Sequence, residues 1–152
     1  MTIGHPRHAR VYIRRDGVKL VVAIVHHNQD GVRFEAPGAL ALSSWDGSIL
    51  GEAVKTALIQ SATVPKDLRK VKVTDWPAMQ VSGEPSVRAF EAAYISIDVS
   101  GANPANLVYV LEGLPDPTSD LRITASLSNN QSPEEYGRLL LRIYEACRDR
   151  RF

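Results

Sequence analysis

Four histidines, one cysteine, two tryptophans and three carboxylates around a proline turn are the side chains of this 152-residue sequence whose types and spacing could do chemistry. His26 and His27 would serve as metal ligands or proton carriers only singly, because neighbours on a strand point to opposite faces. The plainer reading is a strand-end histidine at the mouth of a turn. His5 and His8, three residues apart around Pro6, read as part of a loose basic arm ahead of the first strand rather than as a metal clip. Cys147 would need exposure and activation to act as a nucleophile, yet it follows Ile143 by four residues on an apolar stripe. That spacing marks it as a small buried hydrophobe. Glu112, Asp116 and Asp120 gather where Pro115-Asp-Pro117 breaks the chain; they could hold a cation or a basic partner, or simply solvate the turn.

The tryptophans stand in breaker-rich stretches, Ser44-Trp45-Asp46-Gly47 and Asp75-Trp76-Pro77. Rings so placed either fold back onto the core or offer a partner protein an aromatic anchor flanked by aspartate. Arg10, Tyr12 and Arg14 share one face of the first strand. They have a weak claim to nucleic acid against the simpler reading of a solvated edge strand that carries charge to resist aggregation. There is no phosphate-cradling glycine loop, dinucleotide fingerprint, serine elbow or zinc-protease helix. The expectation is therefore a protein that is not an enzyme, with no catalytic set, metal or cofactor. Its candidate partner-binding residues are Trp45, Asp46, Asp75, Trp76, Glu112, Asp116 and Asp120.

The elements that must position these residues follow from periodicity. Residues 9–14 alternate apolar and basic, Asp16-Gly17 is a favoured hairpin dipeptide, and residues 18–27 form a nearly continuous apolar run suited to a central strand. Asn28-Gln29-Asp30-Gly31 turns into a short strand over Val32 to Glu35, stopped by Pro37-Gly38. From Ser48 the period becomes helical through Leu50, Val54, Ala57 and Leu58, until Pro65. Val71-Lys72-Val73 reads as a short strand and Ser82 to Ala93 as one short helix. Tyr94–Val99, Leu107–Leu111 and Leu121–Leu127 then alternate as a second meander. In Ser132-Pro133-Glu134-Glu135 a capping serine, a first-turn proline and a glutamate three residues after the cap start the last helix, whose stripe runs from Tyr136 to Cys147.

Both long helices carry a glycine after an apolar residue, in Leu50-Gly51 and Tyr136-Gly137. Glycine costs a helix about 1 kcal/mol relative to alanine, so its use twice points to close backbone packing. The fold class expected is α+β: one domain over residues 1–152, with a largely antiparallel or mixed sheet and two long amphipathic helices packed against it.

Composition sets the outer limits. With 18 Lys and Arg against 17 Asp and Glu, the net charge of +1 names no partner, and neither nucleic acid nor a membrane is expected. The charge is uneven: residues 1–33 carry +4 and residues 34–141 about −5. A single cysteine excludes an intramolecular disulfide and any multi-cysteine cluster, and the charged N-terminus lacks the apolar stretch of a signal peptide. A cytoplasmic location is expected.

Three stretches, taken in order, resemble the immunity proteins of bacterial contact-dependent growth inhibition systems. They are Ser48-Ile-Leu-Gly-Glu-Ala-Val-Lys-Thr-Ala-Leu-Ile-Gln-Ser61, Ser86-Val-Arg-Ala-Phe-Glu-Ala-Ala93 running into Tyr94 to Val99, and Ser132-Pro-Glu-Glu-Tyr-Gly-Arg-Leu-Leu to Cys147. The likeness covers residues 48–148, rests on order and spacing, and takes nothing from residues 1–47. It implies a cytoplasmic, non-catalytic protein that binds and blocks the C-terminal toxin domain, commonly a nuclease, of a cognate delivered effector. Binding residues in such families differ with each toxin, so none is carried over by position. Many nuclease inhibitors are acidic and this chain is near neutral, which leaves a local acidic patch or inhibition away from the toxin's active site. The alternative is a small enzyme or small-molecule-binding domain with a pocket between sheet and helices.

Overall fold

The computed structural model describes residues 5–43, 46–72, 75–118 and 120–149. The alternating residues give strand β1 (His8–Arg14), and the turn at Gly17, with φ +78°, returns the chain into β2 (Leu20–His27), paired from Ile13–Leu20 to His8–Val25. β3 (Arg33–Glu35) pairs with the far end of β2 and β4 (Leu40–Leu42) with its near end, the two separated by Pro37-Gly38. β5 (Tyr94–Gly101), β6 (Val108–Leu114) and β7 (Ile123–Ser128) complete an antiparallel sheet in the order β3-β2-β1-β5-β6-β7, with β4 also beside β2. The architecture is thus α+β, as expected. β1 is not a solvated edge strand, however. It lies in the middle, hydrogen-bonded to β2 on one side and β5 on the other.

Helices α1 (Gly47–Gln60) and α4 (Pro133–Arg148) cover one face. Asp46 caps α1, accepting from the Ser48 and Ile49 amides at 2.9 and 3.4 Å, and the Ser132 hydroxyl accepts from the Glu135 amide at 3.3 Å. Their stripes, Leu50, Val54 and Leu58 with Tyr136, Leu140 and Ile143, bury against Val11, Ile13, Ile97 and Leu111 in the larger core. The two helical glycines meet at the crossing. A Cβ on Gly51 would overlap the Pro133 carbonyl, and one on Gly137 the Gly47 carbonyl, so the helices touch backbone to backbone.

On the opposite face, α2 (Pro77–Ser82) and α3 (Val87–Ala93) pack Ala78, Met79 and Phe90 on Tyr12, Val21, Ala23 and Tyr94, forming a smaller core. The short helix suggested over Ser82–Ala93 is α3, which starts later, where Ser86 caps it; α2 precedes it unannounced and ends at Gly83, whose φ of +78° suits glycine. Val71 and Lys72 are not a strand but follow a 3₁₀ turn over Leu68–Lys70; Val73 lies outside the described residues. β4 is an element the sequence did not announce.

Candidate functional site

Strand register lines up one polar row across the face that α2 and α3 cover only in part: Arg10, Asp98, Glu112 and Thr124, each opposite the next. Asp98 and Glu112 face each other across β5 and β6, an arrangement that like charges disfavour. Each has an arginine. Arg10 Nε lies 2.8 Å from Asp98 Oδ1, and Arg122 Nε lies 3.6 Å from Glu112 Oε1. No helix seals this part of the sheet: the Asp98 and Glu112 side chains keep 36% and 44% of their surface, and Thr124 and Ser126 on β7 are exposed.

Beside this row lies a buried hub. β3 sets Glu35 opposite Val25, on the α2 side of the sheet. Its carboxylate accepts hydrogen bonds from the Tyr12 hydroxyl, from Trp76 Nε1 at 2.6 Å and from the Ala78 amide at 3.1 Å, with Arg10 Nη1 at 3.5 Å. One carboxylate thus ties the Trp76 segment and the start of α2 to the sheet, and Arg10 balances its charge. Burial works against the Arg10 guanidinium, but the Asp98 and Glu35 carboxylates outweigh it and hold it protonated. Burial and the Glu35 carboxylate push the Tyr12 hydroxyl well above its usual range, which keeps it a donor.

His8 Nε2 stands 3.2 Å from Asp98 Oδ1. Burial pushes the Asp98 carboxyl up, yet the His8 hydrogen bond and the Arg10 charge outweigh it and leave the group below its ordinary value. For His8, burial outweighs Asp98 and lowers the imidazole pKa, so the ring is neutral near pH 7. The loose-arm reading of His5 and His8 is corrected here. His8 is fully buried as the first residue of β1, its amide bonded to Ser61 Oγ at 3.0 Å, and the His5 carbonyl accepts from Asn106 Nδ2 at 3.1 Å. The His27 ring lies 5.5 Å from that of His5 and 6.2 Å from that of His8; His5 Nε2, His8 Nδ1 and His27 Nδ1 are buried without hydrogen-bond partners. Among the described residues, no three ligating groups are arranged to hold a metal ion. His26 points the other way, as alternation requires, and accepts from the Ala62 amide at 3.1 Å.

The sequence candidates scatter over this framework. Trp45 lies outside the described residues. Asp46 is the α1 cap, on the far side of the sheet. Asp75 is exposed and accepts from the Lys72 amide at 3.0 Å, while Trp76 folds back on the core, its ring 4.9 Å from Phe90 and 5.9 Å from Tyr12. Glu112 lies on the open part of the sheet. Asp116 and Asp120 occupy the β6–β7 connection, where Asp116 Oδ1 accepts from the Thr118 amide and hydroxyl at 2.9 and 2.8 Å. Cys147 is buried in the larger core. Sequence reasoning missed Glu35 and Asp98; the one signal was a carboxylate inside each strand-like run, where apolar residues belong.

No protein-family model and no curated protein matches this sequence. Two solved structures share its fold from end to end. A protein of unknown function from Neisseria meningitidis has a TM-score of 0.65 at 18% identity, over 97% of this chain and 96% of that one. A chain of the CdiA-CT/CdiI toxin and immunity complex from Yersinia pseudotuberculosis has a TM-score of 0.60 at 17% identity, over 93% of this chain and 97% of that one. At these identities the likeness is one of fold.

Proposed function

We propose that this chain is an immunity protein that binds and neutralises the C-terminal toxin domain, a nuclease, of a cognate contact-dependent growth inhibition effector. The observation that carries the reading is the fold shared over 93% of the chain with a chain of a toxin and immunity complex. It agrees with the resemblance carried by residues 48–148. The binding surface in this reading is the open part of the sheet, with Glu112 at its centre, Asp116 and Asp120 at one end and Asp75-Trp76 at its rim. Because Asp98 and Glu112 already hold arginines, such a surface offers a partner hydrogen-bonding variety rather than bulk negative charge, consistent with the near-neutral chain. The protein acts by contact and in the cytoplasm, where a delivered nuclease would find its substrate. Among the described residues no helix is long and apolar enough to cross a membrane.

The test is co-expression with the C-terminal domain of the effector encoded beside it, scoring growth and co-purification. Rescue together with a stable complex supports the reading; failure of both refutes it. A second reading then leads, favoured by a cavity of about 570 Å³ between β4 and α1, lined by Leu40, Leu42, Ile49 and Ala53. That volume lies within the range of small-molecule sites.

A further inference from the structure

Between α3 and the start of β5 lies a slot of about 140 Å³ lined by Tyr12, Trp76, Phe90, Glu91, Tyr94 and Ser96; of its four rings Trp76 is the one that reaches solvent, the other three being buried behind it. Leu114 and Pro117 close the far side. The rings are fixed rather than adaptable: Phe90 sits 4.9 Å from Trp76, 5.1 Å from Tyr12 and 4.9 Å from Tyr94, and Glu35 holds the Trp76 and Tyr12 polar ends. At about 30 Å³ per water, such a volume takes one side chain and no larger ligand.

One charged group at its mouth is an acceptor in want of a donor. Glu91 is exposed and no ion pair among the described residues engages it. Asp116 stands next to Pro117 on the other lip. Arg15 runs near that lip, but its guanidinium is taken up by the Ala92 and Pro115 carbonyls at 3.2 and 3.0 Å. Aromatic faces attract a cation held within about 6 Å, and a carboxylate at the mouth selects the same charge.

We infer that the slot receives a single arginine side chain from a protein partner, its guanidinium lying against the Trp76 ring and reaching Glu91. The inference rests on the partner-binding reading above and supplies the anchor which that reading lacks. Basic side chains line any cleft that binds nucleic acid, so a nuclease would present such a residue.

The probe is N-acetyl-arginine amide, titrated into the folded protein while the Trp76 indole Nε1–H is followed by NMR, with Trp45→Phe to remove the second indole signal. N-acetyl-norleucine amide is the apolar control. The arginine probe should saturate with a Kd of about 0.5–5 mM, as expected for about fifteen heavy atoms, and the norleucine probe should bind at least about tenfold more weakly. Glu91→Gln, on an exposed helix face, should weaken the arginine probe about three- to fivefold without changing the melting temperature. Ser96→Leu should fill the slot and abolish the shift, its fold confirmed by unchanged signals from β7 and α4. The inference is overturned if the arginine probe causes no shift, if norleucine binds equally well, or if Glu91→Gln binds as the parent does. Growth rescue by co-expression is read separately, so either result can fail without the other.

Discussion

Replacing Gly137 by alanine tests the helix crossing directly. Within a helix the change ordinarily favours folding by about 1 kcal/mol. Here the new methyl would lie 2.5 Å from the Gly47 carbonyl carbon and 2.6 Å from its Cα, where about 3.5–4.0 Å is comfortable. Both offending atoms are backbone, so no rotamer relieves the overlap and α1 and α4 must part by about 1 Å. Overpacking of this kind costs about 1–3 kcal/mol, and backbone overlap belongs at the upper end. About 3 kcal/mol of strain less 1 from propensity leaves a net loss of about 2 kcal/mol, a fall in Tm of about 4–8 °C for a chain of this length. Gly51→Ala meets Pro133 at the same crossing and should behave alike. The double variant should lose less than the sum, because one separation of the helices accommodates both methyls. Gly47→Ala is the control: its Cβ finds nothing nearer than 3.8 Å, so stability should hold or rise. Thermal and urea unfolding of the four variants decide the matter. If Gly137→Ala is as stable as the parent, the backbone contact is not there.

Glu35→Gln should destabilise by about 2 kcal/mol and shift Trp76 fluorescence to the red, since it removes one of the two carboxylates beside half-buried Arg10 and disrupts the buried acceptor of three hydrogen bonds; an unchanged urea midpoint would rule out the hub. Because His8, His26 and His27 are all lowered from 6.5, chiefly by burial, the unfolded chain takes up more protons than the folded one as pH falls below about 6.5. Stability should therefore be flat above that pH and decline below it, with a second loss below pH 3.8 as Asp98 protonates; equal urea midpoints at pH 8 and 5.5 would contradict the burial argument. Cys147, enclosed in the larger core, should react with a thiol reagent only as fast as the protein opens, and Cys147→Ala should leave toxin binding unchanged; rapid labelling at neutral pH would show the thiol exposed.

What the sequence made legible was local. Ser132-Pro133-Glu134-Glu135 announces α4 because cap, proline and glutamate act within one turn, and the Gly51 and Gly137 pair stood out because it goes against helix propensity. Arg10 and Tyr12 show the opposite case. Alternation gives the same pattern for a wet edge strand and for a central strand whose polar side meets carboxylates, and those carboxylates come from 23 residues away for Tyr12 and 88 for Arg10. Nothing local distinguishes the two. Pro77 carried a true start signal for α2, but after Trp76 it read as a break, because a six-residue helix leaves too little periodicity to see. Of the candidate site, Glu112 and the β6–β7 acids were visible as charge, whereas the row they complete exists only through strand register.

The unequal sizes of the two cores divide the molecule's motions. The segment from Asp75 to Ala93 holds two helices of six and seven residues, too short to persist alone, fastened mainly by Phe90 and the Glu35 carboxylate. The β1, β5 and β6 strands also bury their other faces under α1 and α4, and keep that protection whether or not the small helices are docked. The segment is therefore a separate unit of opening, with amides that exchange at a lower free energy than those of the sheet. Water reaches Glu35 and Tyr12 through that opening, well before the chain unfolds.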